Sequence, residues 1–169
     1  MARTKKHTYL HYTVLGVLFL FLFLLQYAGV FPAIQGARPL LLVAVTITSA
    51  MFLRQWAGAA FGAVAGMLMD AVTGGTGCFH TLTLLIFGCA AGLLITCLFN
   101  NTLGVSLLLQ AGFLLFYVTL RWLFFYLIPG YDNPGYLFVK YGLGDFIYTF
   151  VLSIPLYFLI RRLMRQVQA

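Results

Sequence analysis

Six apolar runs follow one another through this chain, and they decide what it can fold into. They cover residues 12–30, 40–53, 56–72, 79–99, 103–128 and 137–160. A helix crosses the hydrocarbon of a bilayer with about 20 apolar residues, within a range of about 17 to 25. The second run is short for a span and must draw on its flanks. The fifth is long enough to tilt. Turn chemistry fills the breaks: Pro32 and Pro39 around Arg38, then Arg54-Gln55, then Gly74-Gly75-Thr76-Gly77, then Asn100-Asn101-Thr102, then a Pro/Gly/Asn/Asp loop over 129–136. Pro155 predicts a kink in the last run. The expectation is an all-α polytopic membrane protein, with six transmembrane helices forming one domain over residues 1–169.

The charges agree with that class. Only 8% of residues are charged, 63% are hydrophobic, and no Glu is present. A soluble domain carries about a quarter charged residues. The net charge of +7 would suit nucleic acid, but the positions of the basic residues argue against it. Arg3, Lys5 and Lys6 precede the first run, and Arg161, Arg162 and Arg165 follow the last. Basic residues at the ends of apolar segments mark the cytoplasmic side and face anionic lipid. Six spans with both termini cytoplasmic put these six and Arg54 inside, with Arg38 and Lys140 outside. The basic start followed by an apolar run resembles a signal peptide, but the run is of spanning length and no small-x-small cleavage site follows, so it reads as an uncleaved first helix. Cys78, Cys89 and Cys97 have neither disulfide nor ligand spacing and read as inert thiols.

The stretch from Trp56 to Gly92 reads as the element around which the rest is organised. Gly58, Gly62, Gly66 and Asp70 recur every four residues, so a helix stacks them on one face. Glycines at that spacing open a groove for a second helix backbone. Gly88 and Gly92 lie in the next run and make the partner small-residue helix. Asp70 closes the groove. With the termini inside, Asp70, Arg121 and Asp145 all fall in the outer half of the bilayer. A lone charge there costs several kcal/mol, so Arg121 is expected to pair with Asp70 or Asp145. Two readings of this cluster stand: a structural ion pair, or a polar cavity open to the outside.

The remaining features carry less. His80 reads as a polar residue at a helix start, with no second His or Cys at metal-ligand spacing. The Gly74–Gly77 segment lacks the Gly-x-x-x-x-Gly-Lys frame of a phosphate loop. Trp122, Phe124, Phe125 and Tyr126 read as an interfacial belt. Ser49, Ser106 and Ser153 have no accompanying His, so no catalytic residue, metal or cofactor is assigned.

The block Phe61-Gly62-x-x-x-Gly66-Met67-Leu68-Met69-Asp70, followed by Gly74, Gly77, Gly88 and Gly92, resembles the rod shape-determining protein MreD family. So does the Arg38-Pro39-Leu40-Leu41-Leu42 start of the second run. The resemblance spans essentially the whole chain. It implies a non-catalytic scaffold of the bacterial elongation machinery in the cytoplasmic (inner) membrane, supporting peptidoglycan synthesis. Its implied partners are a MreC-like bitopic protein, the actin-like MreB, RodZ, and a RodA-type polymerase with its transpeptidase. The implied six-helix fold is similar to the substrate-binding subunit of energy-coupling-factor transporters. That kinship supplies an alternative function, a vitamin-type binding subunit with an outward pocket.

Overall fold

Hydrocarbon offers no partner for a backbone N–H or C=O, so an apolar run satisfies its own polar groups by closing into a helix. A computed structural model describes residues 2–29, 38–53, 55–74, 77–97, 102–130 and 133–168, with side chains described from 13 to 164. The described residues are helical throughout, apart from short connections. The helices are α1 (Ala2–Tyr27), α2 (Leu41–Phe52), α3 (Gln55–Thr73), α4 (Phe79–Cys97), α5 (Leu103–Trp122), α6 (Pro134–Leu137) and α7 (Leu143–Gln168). Helix α5 runs on into a π-helical turn, Leu123–Leu127, and a second π turn, Phe138–Gly142, joins α6 to α7.

Four segments are long and apolar enough to cross a membrane: Gln55–Thr73, Phe79–Cys97, Leu103–Leu127 and Pro134–Met164. Thr13–Tyr27 and Leu41–Phe52 are shorter apolar helices. Large apolar side chains point outward along the long helices, among them Val64, Met67, Leu82, Ile86, Leu108, Phe116, Ile147 and Phe158. Such a surface is rare in water-soluble monomers. The architecture is that of a polytopic membrane protein. Val30, Phe99, Arg54, Asp132, the two central residues of the Gly74–Gly77 turn, and the side chains of Arg3, Lys5, Lys6 and Arg165 lie outside the described residues. Pro155 sits inside α7, and the helix continues through it.

The centre of the bundle is α2. Every residue from Leu41 to Met51 is buried, and the helix touches α1, α3, α4, α5 and α7. This corrects the expectation that Trp56–Gly92 organises the chain: α3 and α4 form a tight pair at the side of α2, which is the shared core. At about 1.5 Å rise per residue, its 12 residues extend about 18 Å, well short of a hydrocarbon core of about 30 Å. Its N-terminal end lies among other helices, with Pro39 and Leu40 buried, and its C-terminal Phe52 is half-buried. Its hydroxyls turn back on the helix: Thr46 donates to the Leu42 carbonyl at 2.8 Å and Thr48 to the Ala44 carbonyl at 2.9 Å. Gln110 of α5 donates to the Ala44 carbonyl at 2.8 Å and to Thr48 Oγ1 at 2.5 Å.

Candidate functional site

The spacing of the glycines on α3 becomes a ladder of backbone contacts with the antiparallel α4. A Cβ placed on Gly58 would stand 2.7 Å from the Gly88 carbonyl oxygen and 2.9 Å from Ala50 Cβ on α2. One on Gly62 would fall on the Leu84 carbonyl, and one on Gly66 on Thr81 Cα and the His80 carbonyl. Gly88 meets the Gly58 carbonyl in return, and a Cβ on Gly92 would lie 2.8 Å from Gln55 Cα. Lipid tails are as apolar as the side chains, so close backbone packing of this kind drives helix association in a membrane.

Asp70 is the next rung. One carboxylate oxygen accepts the His80 N–H at 3.2 Å. The other accepts the Thr81 N–H at 2.8 Å and the Thr81 hydroxyl at 2.6 Å. The first N–H groups of a helix have no intrahelical partner and carry the positive end of its dipole. Cys78, just ahead of α4, has φ of 64°, not the extended backbone of a self-capping residue. The cap comes instead from the neighbouring helix.

Asp145 instead holds the chain just ahead of α2. Its Oδ1 accepts the Arg38 N–H at 2.8 Å, and its Oδ2 accepts Arg121 Nη2 at 2.6 Å. Thr149 Oγ1, one turn further along α7, accepts the Leu40 N–H at 2.9 Å. Gln26 Oε1 of α1 accepts the Leu42 N–H at 3.0 Å. Pro39 has no N–H to satisfy. The charged residues therefore divide: Arg121 and Asp145 form an ion pair, while Asp70 caps α4.

Above these contacts lies a cavity of about 590 Å³. The chain alternates direction, so the ends of α1, α3 and α5 meet the starts of α2 and α4 at one end of the bundle. Tyr27, Arg38, Thr73, His80, Tyr117 and Arg121 are among the residues that line the cavity. His80 is buried, with Nδ1 2.8 Å from the Tyr117 hydroxyl. The polar residue at the start of α4 is thus turned into the bundle. Phe79 packs edge-on against Phe125, with ring centroids 5.4 Å apart. In the aromatic group Phe124 is exposed, Phe125 and Tyr126 line the cavity, and Trp122 donates to the Pro134 carbonyl at 2.7 Å.

The sequence reading missed Tyr117, Gln26 and Thr149. Each stands in an apolar stretch of its helix, and no sequence spacing pairs it with its partner. Among the described residues no group of three or more His, Cys, Asp or Glu is placed to hold a metal ion.

Compared with curated proteins and with solved structures, the chain finds no match. A family model described as rod shape-determining protein MreD matches residues 6–167. That match takes in nearly all of α1 and α7 and the whole of the helices between them, with the glycine ladder, Asp70, Asp145 and the cavity, and the chain belongs to the rod shape-determining protein MreD family.

Proposed function

We propose that this protein is a non-catalytic scaffold of the bacterial cell-elongation machinery, seated in the cytoplasmic (inner) membrane and supporting peptidoglycan synthesis as the cell keeps its rod shape. The family match over residues 6–167 is the observation that carries this reading. The proposed topology has six spans with both termini cytoplasmic, which puts seven basic residues inside against Arg38 and Lys140 outside. The glycines of the α3–α4 ladder, the Asp70 cap and the Arg121–Asp145 pair would hold one rigid shape for partners to read. The proposed partners are a MreC-like bitopic protein first, then a RodA-type polymerase with its transpeptidase, RodZ and MreB.

Two measurements test it. In a rod-shaped bacterium depleted of its own MreD-family protein, expression of this chain should restore rod shape and cell width. Purification from those cells in mild detergent should recover a MreC-like protein. Cells that stay round around a membrane-inserted, well-expressed chain would rule the scaffold reading out.

The cavity favours a second reading, a vitamin-type binding subunit of a transporter. A tightly bound vitamin in the purified protein, with no cell-wall protein recovered beside it, would select that reading over the first.

A further inference from the structure

Among the described residues, the charged ones that line the cavity are the arginines Arg38 and Arg121, and no carboxylate residue is in that lining. Asp145 lies behind this lining, with one oxygen on Arg121 and the other on the Arg38 N–H. A guanidinium carries five N–H donors, and the bond to Asp145 uses one, at Nη2. Among the described residues no carboxylate pairs with the Arg38 side chain. The rest of the lining is mainly apolar, with Met69, Leu40 and Phe125 among it. A volume of about 590 Å³ falls within the range of about 300–1,000 Å³ for small-molecule sites, which are mostly apolar with a few fixed polar groups.

We infer that this cavity binds an anionic amphiphile, with a phosphate head held between Arg38 and Arg121 and an apolar chain laid against Met69, Leu40 and Phe125. The planar donor forks of two arginines suit an oxyanion with several acceptor oxygens. A cationic or zwitterionic head would bring positive charge against the same two groups. An apolar chain leaving the cavity would pass into surroundings as apolar as itself. The site is independent of the scaffold reading and stands if that reading fails, because it rests on the cavity alone.

The test uses the full chain purified in a neutral maltoside detergent, following its thermal unfolding midpoint as a probe is titrated. Dodecyl phosphate should raise the midpoint saturably, and dodecyltrimethylammonium should not. Arg38→Gln should weaken dodecyl phosphate about tenfold, as expected for the loss of one charge-assisted contact. The same variant should still fold and unfold cooperatively without probe, because the Arg38 side chain is exposed and its backbone bond to Asp145 remains. Equal effects of the anionic and cationic probes would overturn the inference, as would an Arg38→Gln chain that binds dodecyl phosphate undiminished. Inorganic phosphate alone distinguishes the source of the head group. If it saturates the site at the same concentration as dodecyl phosphate, a soluble oxyanion is the ligand and the amphiphile is excluded. If it has no effect there, the apolar chain is part of what is recognised.

Discussion

Arg121 and Asp145 meet at 2.6 Å, and the carboxylate that holds this guanidinium also holds the Arg38 N–H at the start of α2. The two ends of the pair are therefore unequal. Removing Arg121 leaves Asp145 one partner, whereas removing Asp145 orphans both a guanidinium and a backbone N–H. Asp145→Ala should lower the unfolding midpoint in detergent more than Arg121→Gln does. Asp145→Asn keeps an acceptor for Arg38 and should fall between wild type and Asp145→Ala. Breaking a buried pair costs about 3–5 kcal/mol in soluble proteins, while polar couplings in membranes average about 0.6 kcal/mol, so the order of the variants is the sharper prediction. The charge swap Asp145→Arg with Arg121→Asp should recover little, because an arginine cannot accept the Arg38 N–H. Full recovery by the swap would refute the double role.

The glycine ladder predicts a contrast between two alanines. Gly62 has the Leu84 carbonyl where a Cβ would go, and Gly112 on α5 has nothing within 4 Å. Overpacking costs about 1–3 kcal/mol, and replacing a mid-helix Gly by Ala in open space gains about 0.5–1 kcal/mol. Gly62→Ala should therefore destabilise, and Gly112→Ala should be neutral or stabilising. Equal midpoints for the two variants would mean that α3 and α4 do not approach as closely as the ladder requires.

How much of this was legible in the sequence depended on the range of each interaction. Gly58, Gly62, Gly66 and Asp70 could be read as one face because their spacing is a property of the helix itself. The position of α2 could not. In a soluble protein a helix that is apolar all round is a buried one. In a membrane chain every helix is apolar, and the pattern no longer separates core from lipid. The clues were the shortness of the run over 40–53 and its Thr46, Thr48 and Ser49, which turn inward to its own carbonyls and to Gln110. Depth along the bundle put Arg121 level with both Asp70 and Asp145, but which one it meets depends on how α5 and α7 rotate against each other. A lone His80 offered no periodicity, so its burial against Tyr117 was hidden.

The capping role of Asp70 separates it from Arg121. Substituting a capping residue by Ala costs about 0.5–2 kcal/mol, so Asp70→Ala should destabilise by that order. Asp70→Asn retains acceptor oxygen and should lose less. Thr81→Val removes the hydroxyl that donates at 2.6 Å and leaves the Thr81 N–H contact, so it should be milder again. Double-mutant cycles should give Arg121 a smaller coupling to Asp70 than to Asp145. A larger coupling to Asp70 would overturn the division of the charges.

His80 and Tyr117 form a buried bond at 2.8 Å in the wall of the cavity. Tyr117→Phe keeps the ring against Phe79 and Phe87 and removes only the hydroxyl. An unsatisfied buried polar group costs about 1–3 kcal/mol, so the variant should unfold earlier by that amount. His80→Phe with Tyr117→Phe removes both partners and should recover part of the loss. Additive losses would mean that the two side chains do not support each other.

The last prediction concerns the start of α2, where a short helix begins among other helices. Thr149 Oγ1 accepts the Leu40 N–H at 2.9 Å and donates to the Asp145 carbonyl at 2.6 Å. Gln110 also reaches α2, but the Ala44 carbonyl it touches already receives the Thr48 hydroxyl. Thr149→Val preserves shape and removes the acceptor, stranding the Leu40 N–H inside the bundle. Gln110→Leu takes away a donor whose acceptor keeps another partner. Stranding a buried donor costs about 1–3 kcal/mol, while a loss that leaves the remaining groups satisfied is nearly neutral. Thr149→Val should therefore unfold well below wild type and Gln110→Leu close to it, although Gln110 makes two hydrogen bonds to α2 and Thr149 only one. Amide exchange at Leu40 supplies the second readout. It should speed up in Thr149→Val and stay slow in Gln110→Leu. Slow exchange at Leu40 in both variants would show that the N-terminus of α2 is held by Asp145 and Gln26 without Thr149.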